Sequence, residues 1–236
     1  MSRIISAIIG LSSILILIYI LFLSENEFII SSVLPLTDCQ TVIIDAGHGG
    51  EDGGTSSSDG TLEKDINLKI ALKLRSFLEL AGYNTIMTRE EDIQLGDTSL
   101  STIRKRKVSD IKTRLKITED NPQAILISIH QNHFSSSVYK GLQVFYSPKN
   151  INSKFLAEYI QTKTVELIQK DNDRSIKETG SNIYLLYNSQ IPSVMVECGF
   201  MSNYEESNLL KNENYQKQIA FSIMCGIQKY LEDNDG

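Results

Sequence analysis

The chain has 236 residues, 41% hydrophobic and 22% charged, with four prolines, which fits one globular domain of ordinary size and excludes a disordered or low-complexity protein. Its formal net charge of −6 excludes a general binder of nucleic acid, and the basic stretch 104–107, flanked by acids, reads as a solvated helix face. Cys39, Cys198 and Cys225, odd in number and irregularly spaced, form no disulfide framework, and the last two read as core residues.

Residues 4–23 carry no charge and are rich in Ile and Leu, a run that matches the about 20 residues a helix needs to cross a bilayer. Arg3 precedes the run, and Glu25 and Glu27 follow it. This favours an N-inside orientation, with the rest of the chain outside the cytoplasm. Leu21-Phe22-Leu23-Ser24 offers no small-residue cleavage site, so residues 1–24 are expected to be an uncleaved transmembrane signal anchor. Residues 25–40 read as a linker and 41–232 as one folded domain.

Within that domain strand and helix patterns alternate. Residues 41–45 read as a strand and 63–81 as a helix, with Ile66, Ile70, Leu74, Phe77 and Leu78 on one face and Gly82 at its C-terminal cap. A strand at 83–88, a helix within 100–119 and strands at 124–129 and 142–146 follow. Residues 152–169 read as helical, 183–186 and 193–197 as short strands, and 204–231 as the final helix. The predicted fold is α/β: a single domain with a mostly parallel or mixed sheet of about six strands and helices on both faces.

Three apolar runs end in residues that bear chemistry. TVIID leads into the glycine-rich AGHGGEDGG with His48, the run 125–129 leads into His130, and 194–196 leads into Glu197. Ligands of open α/β sheets bind outside the carboxyl ends of the parallel strands, so these side chains are expected to converge. Glu63 joins them from the first turn of its helix, three residues before Ile66 and on the same stripe. Its ordinary role would be to complement the helix dipole beside solvent. His48, Glu63 and His130 form a donor set suited to one catalytic Zn2+ per chain, with a fourth position left for water. Glu197, costly in so apolar a run unless paired or functional, is then the general base. An ion pair with a nearby Arg or Lys is its structural alternative. His133, Asn132, Gly49 and Gly50 are candidate substrate contacts, and Asp45 is a candidate hydrogen-bond partner for His48.

DAGHGGEDGG, LEKDINLKIALKL, ISIHQNH and SVMVECGFMSN together resemble the zinc-dependent N-acetylmuramoyl-L-alanine amidases of bacterial cell-wall hydrolysis, in order over residues 41–230. STIRKRKVSDIKTR, SIHQNHF and the apolar N-terminal run narrow the resemblance to the germination-specific amidases of spore-forming bacteria. The family's zinc ligands fall on His48, Glu63 and His130, its catalytic glutamate on Glu197, and an arginine read as structural on Arg114. Ala46 stands where the family usually has proline, and Thr118 and Glu119 where it usually has Ala-Asn.

The resemblance implies hydrolysis of the amide between the lactyl group of N-acetylmuramic acid and L-alanine. The narrower resemblance implies spore cortex peptidoglycan as substrate, ahead of muramic-δ-lactam formation by a separate deacetylase, and action in the forespore intermembrane space. An accessory activating protein is a further expected partner. Two alternatives stand beside this reading. One is a zinc carboxypeptidase, whose carboxylate-binding arginines could only be Arg104, Arg106 and Arg114. The other is a membrane-anchored, non-catalytic peptidoglycan-binding protein.

Overall fold

The structure is a computed structural model that describes residues 40–234, and the expected membrane anchor lies outside them. Among the described residues no helix is long and apolar enough to cross a membrane. The six strands are β1 (Thr41–Ala46), β2 (Asn84–Met87), β3 (Ile125–Asn132), β4 (Gln143–Tyr146), β5 (Lys177–Glu178) and β6 (Ser193–Phe200). The helices are α1 (Glu63–Leu80), α2 (Ile103–Glu119), α3 (Asn152–Leu167), α4 (Tyr184–Asn188), α5 (Tyr204–Lys211) and α6 (Glu213–Asn234). The strands form one mixed sheet in the order β2-β1-β3-β6-β4-β5. β2, β1, β3 and β6 run parallel, and β4 is antiparallel to β6.

The two faces of the sheet follow from the alternation of side chains along its strands. Val42, Ile44, Ile125, Ile127, Val194 and Val196 share one buried cluster with the apolar stripes of α1, α3 and α6. Ile43, Leu126 and Met195, one residue out of phase, share a second cluster with Leu115 of α2 and Leu185 and Leu186 of α4. Cys198 is fully buried in the first cluster and Cys225 packs against it. Thr118 is buried at the end of α2, where its hydroxyl donates to Leu115 O.

Three expectations are corrected. Residues 183–186 are not a strand: Leu185 and Leu186, adjacent and both buried, belong to the one-turn helix α4. A run of four apolar residues carries too short a period to separate the two forms. The sixth strand is instead β5, two exposed charged residues on the sheet edge, invisible to any hydrophobic pattern. The last helix is broken at Asn212, whose side-chain Oδ1 accepts from Asn214 N and Tyr215 N and so starts α6 afresh. β3 and β6 also run on past their expected ends, so His130 sits inside its strand rather than beyond it and Glu197 is no longer the last residue of its own, and the two residues are register partners.

Candidate metal centre and catalytic cleft

The loop after β1 carries His48 in the left-handed region, at φ 62°, a conformation that favours glycine. Neighbouring residues impose it. Arg114 of α2 donates to Ala46 O at 2.9 Å and His48 O at 2.7 Å. Arg89, just after β2, donates to Ala46 O at 2.9 Å and Gly47 O at 3.0 Å. Both guanidiniums are buried, and Arg114 is balanced by Asp45 at 2.5 Å and Asp110 at 2.6 Å. Burial opposes the charge on Asp45, but Arg114 and Ser128 hold its carboxyl down at about 2. Ala46 N–H donates to Thr88 Oγ1 at 3.3 Å, a bond that the family's usual proline could not make.

Asp45 is therefore not the partner of His48. Its oxygens go to Arg114, Thr88 and Ser128. Asp52 takes that place, accepting from His48 Nδ1 at 2.8 Å. The other ring nitrogen, Nε2, lies 3.2 Å from Glu63 Oε2.

Glu63 opens α1 without a side-chain cap. The loop supplies the missing partners instead, since Glu63 N donates to Thr55 O and Lys64 N to Gly53 O. Gly54, at φ 68°, lets this loop press on the carboxylate: a Cβ there would stand 2.4 Å from Glu63 Oε2. Glu63 is 4% exposed. Its Oε1 faces His130 Nδ1 at 3.0 Å and accepts from Gln131 N and Asn67 Nδ2, while Oε2 accepts from Thr55 N. Burial raises the Glu63 carboxyl, but His130 and His48 outweigh it and hold it well below the usual carboxylate range. Burial likewise works against a charged His48 ring, yet Asp52 and Glu63 raise it to about 9.

One ligand atom from each of His48, Glu63 and His130 lies within 4.8 Å of the other two. Two imidazole nitrogens and a carboxylate oxygen on hydrogen-bonded supports suit Zn2+ in number and chemistry. Among the described residues this is the single such group.

Glu197 lies beside the trio in a cleft of about 470 Å³ walled by α2, α4 and β6, with His48, His130, Ile111 and Tyr184 among its lining residues. Its Oε2 is buried and has no hydrogen-bond partner within the protein. Burial pushes its carboxyl up to about 7, with Glu63 adding to the rise and His130, His48 and Arg174 opposing it. The cleft is thus lined by the two imidazoles of the trio and by a carboxyl raised towards neutrality, while Glu63, which faces both rings, is buried and does not line it.

The remaining candidates separate. His133 is exposed and lines a second cleft of about 890 Å³ with Phe134, Tyr204 and residues 56–58. Asn132 is half-buried, and its carbonyl accepts from Met201 N. Gly49 and Gly50 are no open floor for a ligand. Gly49 is buried against Ile93 O, and Gly50 N donates to Asp92. Arg104, Lys105 and Lys107 are exposed, as a solvated helix face requires, and within it Arg106 and Lys107 pair with Glu51 and Asp52. Sequence reasoning misses Asp52, Arg89 and Asn67. The rule that selects His48 would reach Arg89 too, two residues after β2 ends.

Residues 42–229 match the family described as N-acetylmuramoyl-L-alanine amidase. The germination-specific N-acetylmuramoyl-L-alanine amidase of Bacillus subtilis is 34% identical over 200 residues, 85% of this chain and 83% of that protein. The solved structure of the CwlD amidase from Clostridioides difficile, in complex with the GerS lipoprotein, is similar at a TM-score of 0.80 and 43% identity, covering 83% of this chain and 100% of that one. An N-acetylmuramoyl-L-alanine amidase from Clostridium difficile 630 is similar at a TM-score of 0.72 and 33% identity, covering 85% and 100%.

Proposed function

The chain belongs to the N-acetylmuramoyl-L-alanine amidase family and hydrolyses peptidoglycan amides, and we propose that it does so with one Zn2+ held by His48, Glu63 and His130 and with Glu197 as the catalytic carboxylate. The observation that carries the reading is the meeting of His48, Glu63 and His130 within 4.8 Å of one another, with two of them lining one cleft together with Glu197 and its unpartnered carboxylate oxygen. Bound zinc supplies Lewis acidity, polarising the lactyl carbonyl and lowering the pKa of a bound water. Glu197 accepts a proton from the attacking water as the new C–O bond forms. As the C–N bond breaks, Glu197 returns that proton to the departing L-alanine nitrogen. In the metal-free protein burial raises this carboxyl to about 7, the direction that favours taking up a proton and holding it until it is passed on.

The carboxypeptidase alternative lacks its anchor. Arg114 is buried on Asp45 and Asp110, and Arg106 is engaged by Glu51, leaving only the exposed Arg104 of the three arginines it would use. The non-catalytic alternative would leave the unpartnered oxygen of Glu197 beside the donor trio without a use.

The substrate we propose is spore cortex peptidoglycan. Removing the peptide frees the lactyl carboxyl that muramic-δ-lactam formation requires. The reading is supported by the germination-specific relative and by likeness to an amidase solved with a lipoprotein partner, which also favours an accessory protein here. Action outside the cytoplasm, with residues 4–23 as anchor, completes the proposal.

The test is Glu197→Gln, which keeps shape and removes the base. It is expected to bind zinc like the parent and to release L-alanine amino termini from peptidoglycan about 10²- to 10⁴-fold more slowly. An unchanged rate would remove Glu197 from the chemistry. Muropeptide analysis of cortex with and without the protein tests the substrate: unchanged muramic-δ-lactam would leave the amidase but not the spore role.

A further inference from the structure

We propose that Asp52 and Lys107 are positioning residues for the metal centre, holding the His48 ring with Nε2 turned to Glu63. The proposal rests on the reading that His48 holds zinc. The arginines hold the His48 backbone at φ 62°, but the direction of its ring is set by what the ring nitrogens meet. The hydrogen bond from Nδ1 to Asp52 Oδ2, 2.8 Å, keeps a proton on that nitrogen, so that Nε2, 3.2 Å from Glu63 Oε2, is the nitrogen left for the metal.

Asp52 is itself fixed from several sides. Its backbone exchanges two hydrogen bonds with Gly49, at 2.9 Å and 3.1 Å. Its Oδ1 accepts from Gly54 N at 3.2 Å and from Lys107 Nζ at 2.7 Å. One residue away, Arg106 of α2 grips Glu51 at 2.6 Å and also donates to Leu100 O. Two adjacent basic residues of α2 thus clasp two adjacent acidic residues of the loop.

The exposure of this clasp argues against a purely structural role. The Lys107 and Asp52 side chains are 50% and 22% exposed, and ion pairs so open to water add little to stability. A structural role therefore predicts almost no effect when Lys107 is replaced, whereas a positioning role predicts weaker metal binding with stability unchanged.

The experiment measures zinc dissociation constants of the full chain by competition with a chromogenic chelator, alongside thermal unfolding of the metal-free proteins. Asp52→Ala is expected to weaken zinc binding about 10- to 100-fold. Lys107→Met is expected to weaken it about two- to five-fold. Lys107→Arg, which restores the charge, should recover the parent value, and the metal-free melting temperatures of both Lys107 variants should match the parent. Should Asp52→Ala fail to fold, Asp52→Asn replaces it, keeping an acceptor for Nδ1–H while losing the charge that pairs with Lys107. It is expected to match Lys107→Met. His48→Ala separates the two levels of the argument. Loss of zinc by His48→Ala with parental affinity in the Asp52 and Lys107 variants overturns the positioning role alone. Parental affinity in His48→Ala overturns the metal reading and the positioning role together.

Discussion

A methyl group at position 47 would stand 2.2 Å from His130 Nε2 and 2.3 Å from His130 Cε1, closer than non-bonded atoms approach. Gly47 carries no left-handed backbone, so it is kept small for the imidazole of the neighbouring strand. Gly47→Ala therefore acts on the centre before it acts on the fold. Its backbone can accept alanine, but His130 must swing away or β1 and β3 must separate. The expected outcome is a protein whose zinc affinity falls about 10-fold or more, as when ligand geometry is disturbed through a neighbour. Titration calorimetry with zinc checks this, and parental affinity would show that His130 is not held where the metal is. The same logic separates the loop's glycines by task. Gly47 and Gly54 make room for His130 and Glu63, while Gly49 and Gly50 make room for residues 93 and 94.

At the scale of elements, the loop after β1 is braced by two others. Arg89, in the connection that follows β2, donates to the carbonyls of Ala46, Gly47, Lys64 and Glu91, and so ties the loop to the first turn of α1. A lysine keeps the charge but cannot span this fork. Arg89→Lys is expected to lower stability by about 2 to 4 kcal/mol, since buried carbonyls lose charged donors. A urea unfolding midpoint equal to the parent's would refute the brace. The element scale is also where reading the sequence stops short. His48, Glu63, His130 and Glu197 stand out because a polar group follows or interrupts an apolar run, and β1, β3, β6 and α1 are long enough to show their period. Arg89 and Asp52 lie in polar segments where every neighbour has the same composition, so only the folded contacts single them out. The residues 183–186 mislead for another reason. Leu185 and Leu186 fill the cluster beneath α2 from a single helical turn, and a turn that short leaves no period to read.

The whole molecule assembles a centre that no single element contains, with His48 after β1, Glu63 at the start of α1 and His130 in β3, and with Glu197 in β6 beside them. On the proposed assignment of this centre to zinc, metal binding is coupled to folding, and zinc at about 100 times its dissociation constant is expected to add about 2.7 kcal/mol to stability. The pH dependence follows from His48. In the metal-free protein its pKa is raised from the ordinary 6.5 to about 9 by Asp52 and Glu63, against the opposing effect of burial. The protonated ring stabilises the metal-free fold fully below about 6.5, and this contribution is lost as the pH rises through 9. With His48 as the proposed zinc ligand, zinc below pH 9 must displace a proton from the ring, and its apparent affinity is expected to rise about tenfold per pH unit and level off above that point. Both effects have the same sign for the difference between loaded and metal-free protein. Scanning calorimetry at pH 6, 7, 8 and 9 and constant free zinc should show the zinc-induced rise in melting temperature growing steadily across the series. Asp52→Ala, which removes one of the two carboxylates that raise the pKa of His48, should flatten that growth at its upper end. An increment independent of pH would mean that His48 carries no proton for the metal to displace, and would remove the raised pKa of His48.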